Sequence, residues 1–159
     1  MFKNKKEKYS LAFIIIILSF IFDQLSKKAI INHFDLDQSM KLIGNFLSFT
    51  YVRNDGAGFS ILKGQQTFFI FITIVALVAI FYLFYKEKSR LLGLAYLLIL
   101  GGTLGNFADR LSYGFVIDFI HFNFWGYHFP IFNVADSFIT IGAILILFTY
   151  IFKRGEVYE

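Results

Sequence analysis

The sequence predicts an all-α membrane protein: four transmembrane helices carrying a small extracytoplasmic β-sheet and a short interfacial helix. Three observations lead there. The 159 residues are 57% apolar and only 16% charged, with a mean hydropathy of +0.65. A soluble domain is nearer about 45–50% apolar and about 25% charged, so the polar surface is too small to coat a globule. Charge-free runs at 9–22, 64–85, 91–108 and 137–152 mark four spans, since a charge at the bilayer centre costs roughly 2.5–3.5 kcal/mol on insertion scales. A single Pro suits long unbroken helices. The same composition excludes disorder. The absence of Cys excludes disulfides, a thiolate nucleophile and Cys-ligated metal.

A hydrocarbon core of about 30 Å needs roughly 20 helical residues at about 1.5 Å each. The second run spans comfortably alone, and the third nearly does. The first and last are short and must draw on Asp23 and Lys27 at one end, and on Asn133 and Asp136 at the other. This gives one integral membrane domain over 1–159, with spans near 10–30, 65–85, 91–109 and 133–152. The N-terminus has the basic and apolar regions of a signal peptide, but no small-x-small site follows, so it is expected to stay as the first span. Lys3, Lys5, Lys6, Lys8, Lys86, Lys88, Arg90, Lys153 and Arg154 crowd the tails and the 86–90 turn, whereas the connections 32–66 and 109–132 hold few cations. Both termini are therefore expected on the cytoplasmic side.

Of the outer connections, 41–53 is β-branched, aromatic and partly alternating, as in a short sheet. The stretch 54–62 begins with turn residues and turns apolar, which fits a short helix on the interface. Val116-Ile117-Asp118-Phe119-Ile120 is apolar but for one acid. Phe122, Phe124, Trp125, Tyr127 and Phe129 then read as an interfacial belt.

Alternating the spans places Asp23, Lys27, Asn106, Asp109, Arg110, Asn133 and Asp136 at one depth, near the outer interface. Several have plain structural readings. Asp23 and Lys27 stand at i and i+4 and can neutralise each other. Asp109 can orient Arg110, an ordinary interfacial cation. Asn106 and Asn133 can bridge helices, and Gly101, Gly102 and Gly105 allow close helix approach. His33, His121 and His128 fit no metal spacing and read as interface histidines, so no metal and no cofactor are expected. Two acids stand apart. Asp118 has no Lys or Arg within five positions, and Asp136 has none until Lys153. Each can be a loop acid or a helix N-terminal residue favoured by the dipole. Together at one depth they suggest two carboxylates sharing a proton, one activating water and the other donating. The rival class is a small carrier or an assembly factor built on intramembrane acids. A carrier calls for polar groups at both depths, and the inner halves of these spans are bare.

The ordered boxes Asp23-Gln24-Leu25-Ser26-Lys27, Asn54-Asp55-Gly56-Ala57-Gly58-Phe59, Gly105-Asn106-Phe107-Ala108-Asp109-Arg110, Val116-Ile117-Asp118-Phe119 and Phe132-Asn133-Val134-Ala135-Asp136-Ser137 together resemble the lipoprotein signal peptidases, the signal peptidase II family. The resemblance runs over essentially the whole chain. It implies an aspartyl endopeptidase of the bacterial cytoplasmic membrane, with its site toward the extracytoplasmic side and a small sheet cradling substrate. Such an enzyme removes the signal peptide from diacylglyceryl-modified prolipoproteins just before the lipidated Cys. Carried over, Asp118 and Asp136 match the catalytic pair. Asn54, Gly56, Ala57, Asn106, Arg110, Asn133 and Ala135 match positions around substrate, and Asp23, Lys27 and Asp109 match supporting positions. Asn54, Asn133 and Arg110 are the candidate donors to developing charge. Gly58 and Ser60 stand where many members have Ala and Gly, which bears on substrate preference. The expected partners are the prolipoprotein and membrane lipid, with no nucleic acid, and the chain is expected to be a monomer.

Overall fold

The computed structural model describes residues 4–56, 62 and 64–153. The first helix, α1, spans Lys5–His33, with the Asn4 side chain accepting from the Glu7 N–H as its N-cap. Strands β1 (Ser39–Ile43) and β2 (Leu47–Asn54) follow, then helices α2 (Gln66–Lys86) and α3 (Arg90–Tyr113). Strands β3 (Val116–Phe124) and β4 (Tyr127–His128) lead into the last helix, α4 (Val134–Lys153). All four helices are long and apolar enough to cross a membrane, so this is a multi-pass membrane protein. Both α1 and α3 run past the charge-free segments, because the borrowed polar residues are helical too. The interfacial helix expected over 54–62 lies largely outside the described residues.

The bundle is organised on α3, which packs against α1, α2 and α4. Its small residues explain why. A Cβ at Gly101 would meet the Ser19 side chain of α1 at 2.6 Å, and one at Gly102 would run into the Ala135 carbonyl oxygen of α4. Where lipid offers no hydrophobic drive between helices, close backbone approach and polar contacts supply the cohesion. The outward faces are apolar: Phe13 on α1, Val78 on α2 and Ile144 on α4 are all well exposed.

The buried face of α1 runs Ala12, Ser19, Asp23, Lys27, Ile30, a helical stripe. Ala12 joins Phe84, Leu97 and Leu100 in an apolar cluster within the bundle. Ile30 joins Tyr51, Ile117 and Phe119 at the root of the sheet. Ser19, Asp23 and Lys27 of α1 sit between those two cores.

The sheet is antiparallel in the order β1-β2-β3-β4. Val52 stands opposite Asp118 and Asn54 opposite Val116, after a register shift between Phe49 and Val52. The region read as a small sheet thus supplies only two strands. The third, β3, comes from the segment read as an apolar stretch with one acid, and four of its first residues, Val116 to Phe119, are buried. At the far tip, Trp125 and Gly126 both take positive φ in the β3–β4 turn, and the Trp125 ring is fully exposed.

Candidate active site

Asp118 and Asp136 reach the site from different elements. Asp118 lies on β3, whose pairing with β2 points it at the bundle, and it is almost wholly buried. Asp136 lies in the first turn of α4. Its backbone N–H donates to Asn133 Oδ1 at 2.9 Å, while the Asn133 N–H donates to Asp136 Oδ2 at 3.2 Å. This reciprocal pair is a capping box that satisfies the open N–H groups of the helix start. The structural reading of Asp136 as a helix N-terminal acid is therefore right as far as it goes, and the same geometry fixes its carboxylate in place.

One asparagine ties the two acids together. Asn133 Nδ2 donates to Asp118 Oδ1 at 2.6 Å while its backbone N–H holds Asp136. Asn54 Nδ2 donates to the other Asp118 oxygen at 2.8 Å, and Asn106 Nδ2 donates to Asp136 Oδ1 at 2.7 Å. Neither acid has an ion-pair partner among the described residues. Burial pushes the Asp118 carboxyl from its ordinary 3.8 up to about 7; the Asp136 charge adds to the rise, and the Asn54 and Asn133 N–H groups oppose it. The two carboxyls line a cavity of about 290 Å³ with Asn54, Asn106, Arg110 and the 129–132 segment.

Beneath the pair lies a buried ionic cluster. Lys27 Nζ contacts Asp23 Oδ2 at 2.8 Å and Asp109 Oδ2 at 2.9 Å, all three side chains being essentially inaccessible. Its third contact, at 2.9 Å, is to Asn106 Oδ1. Two backbone groups join them: Asp23 Oδ1 accepts from the Ala135 N–H, and Asp109 Oδ2 accepts from the Ile117 N–H as well as from Lys27. Gln24 bridges Asp109 Oδ1 and the Gly105 carbonyl. No buried side-chain polar atom is left without a partner among the described residues. Buried charge is tolerable when every member is satisfied. Lys27 thus connects α1 to α3, and through Asn106 to Asp136, while Asp23 and Asp109 hold the backbone beside each catalytic candidate.

Most of the expected site residues converge here, with two differences in role. Asp109 turns to Lys27 and the Ile117 backbone, and no ion pair joins it to Arg110 among the described residues. Arg110 instead donates to the Gly56 carbonyl at 3.3 Å and lies over the Phe69 ring, with its own carbonyl held by Gln66. The side-chain N–H groups of Asn54 and Asn133 are directed at Asp118, so in this state they hold the acid. Of the expected donors to developing charge, only Arg110 borders the cavity without bonding either carboxylate. Ala135 is fully buried beside Asp23. Ala57, Gly58 and Ser60 lie outside the described residues. Sequence reading missed Gln24 and Gln66. It also missed the capping box, although Asn133-x-x-Asp136 ahead of an apolar run was a usable signal.

The fold and site together define a polytopic membrane protein in which one buried and one half-buried carboxyl share an amide clamp at the head of a helix bundle. Residues 15–152 match the family model described as Signal peptidase (SPase) II. Lipoprotein signal peptidases from Staphylococcus aureus strains JH9 and Newman are each 43% identical over 146 residues, covering 91% of this chain and 90% of theirs. Two solved structures, each described as a bacterial membrane enzyme, superpose with TM-scores of 0.86 and 0.81 at 41% and 43% identity. The first covers 94% of this chain and 92% of its own, the second 89% and 92%. The chain belongs to the signal peptidase II family, and it is a membrane-bound peptidase.

Proposed function

We propose that this peptidase removes the signal peptide from diacylglyceryl-modified prolipoproteins, cutting before the lipidated Cys, with Asp118 and Asp136 as the residues that activate water. It works in the bacterial cytoplasmic membrane with both termini inside and the sheet-bearing end of the bundle outside. The observation that carries the reading is the clamp: two carboxyls from unrelated segments, free of ion pairs among the described residues, bridged by Asn133 and open to one cavity.

The chemistry follows from the charge state of the pair. Asp118, with its carboxyl up at about 7, carries the shared proton near neutrality. Asp136, accepting from Asn106 and the Asn133 N–H, is the base. Its carboxylate takes a proton from water as the oxygen adds to the scissile carbonyl carbon, and the Asp118 proton passes to the carbonyl oxygen. When the tetrahedral diol collapses, the C–N bond breaks and the amine nitrogen takes the proton that Asp136 had received. The carbonyl re-forms as a diol proton returns to the pair, so one water is consumed and the pair again holds one proton. Transfer of this kind contributes about 10²–10⁴-fold. Arg110 beside the cavity stabilises developing charge, and Gly56, which also lines the cavity, meets the substrate backbone. The signal helix lies along the bundle while the acyl chains stay in lipid, so that the scissile bond falls at the depth of the pair. A carrier would need polar groups continuing through the bundle, but below Ser19 the buried face of α1 meets the apolar cluster of Ala12, Phe84, Leu97 and Leu100.

The test is cleavage of a purified diacylglyceryl-modified prolipoprotein in liposomes, with chelator present. Wild type is compared with Asp118→Asn and Asp136→Asn, and helical content is checked by circular dichroism. Wild type alone should cut. A folded variant that still cuts removes its residue from the pair, and a folded wild type that does not cut a lipidated substrate sinks the reading.

A further inference from the structure

We propose that a notch between the start of α1 and the end of α2 binds the phosphate headgroup of an anionic glycerophospholipid. The site lies at the end of the bundle opposite the carboxyl pair and does not depend on the peptidase mechanism.

A cavity of about 340 Å³ opens there, lined by Lys5, Lys8, Lys86 and Lys88 together with Asn4, Tyr9, Tyr85 and one acid, Glu87. Lys5, Lys86 and Lys88 are exposed and make no ion pair among the described residues. The two acids at this end already have partners, and four lysines outnumber the one acid in the lining. Glu7 pairs with Arg90, and Glu87 Oε1 accepts from the Lys88 and Ser89 N–H groups at 2.8 and 2.6 Å.

The C-terminus of α2 would itself repel an anion, since a helix end carries about half a negative charge. Lys8 cancels that. Its buried ammonium donates to the Tyr85 and Glu87 carbonyls at 2.9 and 2.6 Å and sits over the Phe84 ring. The floor of the notch is thereby neutralised, and three further lysines line the opening, Lys86 with its ammonium 4.9 Å over the Tyr82 ring. The start of α1, with its partial positive charge, adds to the same field.

The surroundings select a lipid over a free phosphate. Tyr9, Tyr82 and Tyr85 are exposed at this level, as aromatic side chains are where headgroups meet hydrocarbon. Below them the outward faces of α1 and α2 present Phe13, Val78 and Phe81, against which acyl chains would lie. A phosphodiester in the notch and two chains along those faces satisfy both halves of the site. Diffuse basic charge at a membrane face would attract anionic lipid without a defined stoichiometry. Three lysines gathered round one cavity call for one headgroup.

Native mass spectrometry of the delipidated full chain in detergent tests this, with phosphatidylglycerol, phosphatidylcholine of the same chains, and glycerol 3-phosphate as probes. One phosphatidylglycerol should bind well ahead of phosphatidylcholine, with no adduct from glycerol 3-phosphate at equal concentration. A lysine near an anionic surface is worth about fivefold, so Lys5→Gln/Lys86→Gln/Lys88→Gln together should weaken binding about a hundredfold. The matching triple Arg variant should keep it, and Lys41→Gln on the sheet should leave it unchanged. Equal binding of the two lipids in wild type overturns the proposal even if the Gln variant fails to fold. So does equal binding of glycerol 3-phosphate, undiminished binding in a folded Gln variant, or a loss in Lys41→Gln as large as in the triple variant.

Discussion

Replacing Asp118 with Asn should abolish cleavage and yet stabilise the protein in alkaline solution. The Asp118 carboxyl stands at about 7 against an ordinary 3.8, and each tenfold in proton affinity is worth about 1.4 kcal/mol. Between those values the folded state binds more protons than the unfolded one, so stability falls as pH rises. The burden of the buried charge is absent below the unfolded value and reaches about 4 kcal/mol above the folded one. Asn carries no such burden. It does place an amide N–H against a donor, because both Asp118 oxygens accept from N–H groups and Asn54 is kept from flipping by the Gly56 N–H on its Oδ1. That mismatch costs about 1–3 kcal/mol at any pH. The variant should therefore be less stable than wild type near about pH 4.5 and more stable near about pH 8.5, a relative change of about 3 kcal/mol. In melting temperature this is about 6–12 °C for a chain of this size. Far-UV circular dichroism in detergent is the assay, because the single Trp is fully exposed and a poor reporter of unfolding. Parallel stability curves for the two proteins across this range would refute the argument that Asp118 is buried against its charge.

Cleavage itself should trace a bell against pH, with kcat/KM falling as pH rises through about 7 because the acid member loses its proton; a rate still climbing well above that value counts against a shared proton. Lys27→Met should destabilise by about 3–5 kcal/mol, since two buried carboxylates lose their cation. Adding Asp23→Asn and Asp109→Asn should recover part of the loss in the same denaturation assay, and no recovery would mean the lysine acts by packing alone. Gly102→Ala should push α4 away at the Ala135 carbonyl, next to Asp136, whereas Gly142→Ala strains the same α3–α4 seam away from the pair, with its Cβ 2.6 Å from the Ala95 carbonyl oxygen. Both should lose about 1–3 kcal/mol of stability, but only Gly102→Ala should lower the cleavage rate by about tenfold or more; equal rates in the two variants would show that the Gly102 contact does not position the site.

The bundle keeps its charges inside and its apolar surface outside, and the ionic cluster shows how that is sustained. Lys27 offers three donors and meets three acceptors, Asp23, Asp109 and Asn106. Each of those acceptors then fixes something else: the Ala135 N–H, the Ile117 N–H and the Asp136 carboxylate respectively. Rigid support of this kind suits a site whose two acids must stay close while sharing charge.

Local spacing determined a good deal of this. Charge-free runs fix the four helices because an isolated charge is expensive at the bilayer centre. The i, i+4 spacing of Asp23 and Lys27 makes their pairing nearly unavoidable, and the want of any nearby base singles out Asp118 and Asp136. Only the tertiary structure decided the partners. That Val116–Phe124 joins β2, setting Asp118 opposite Val52, depends on pairing between segments more than sixty residues apart, to which no local period speaks. That Asp109 serves Lys27 and not its neighbour Arg110 follows from which face of α3 meets α1, and sequence adjacency on a helix points two residues about 100° apart. Likewise Lys8 and Lys86 read in the sequence as separate cytoplasmic charges until α1 and α2 bring them to one notch. Spacing along the chain sets which side chains share a face; packing of faces from distant segments sets which of them meet.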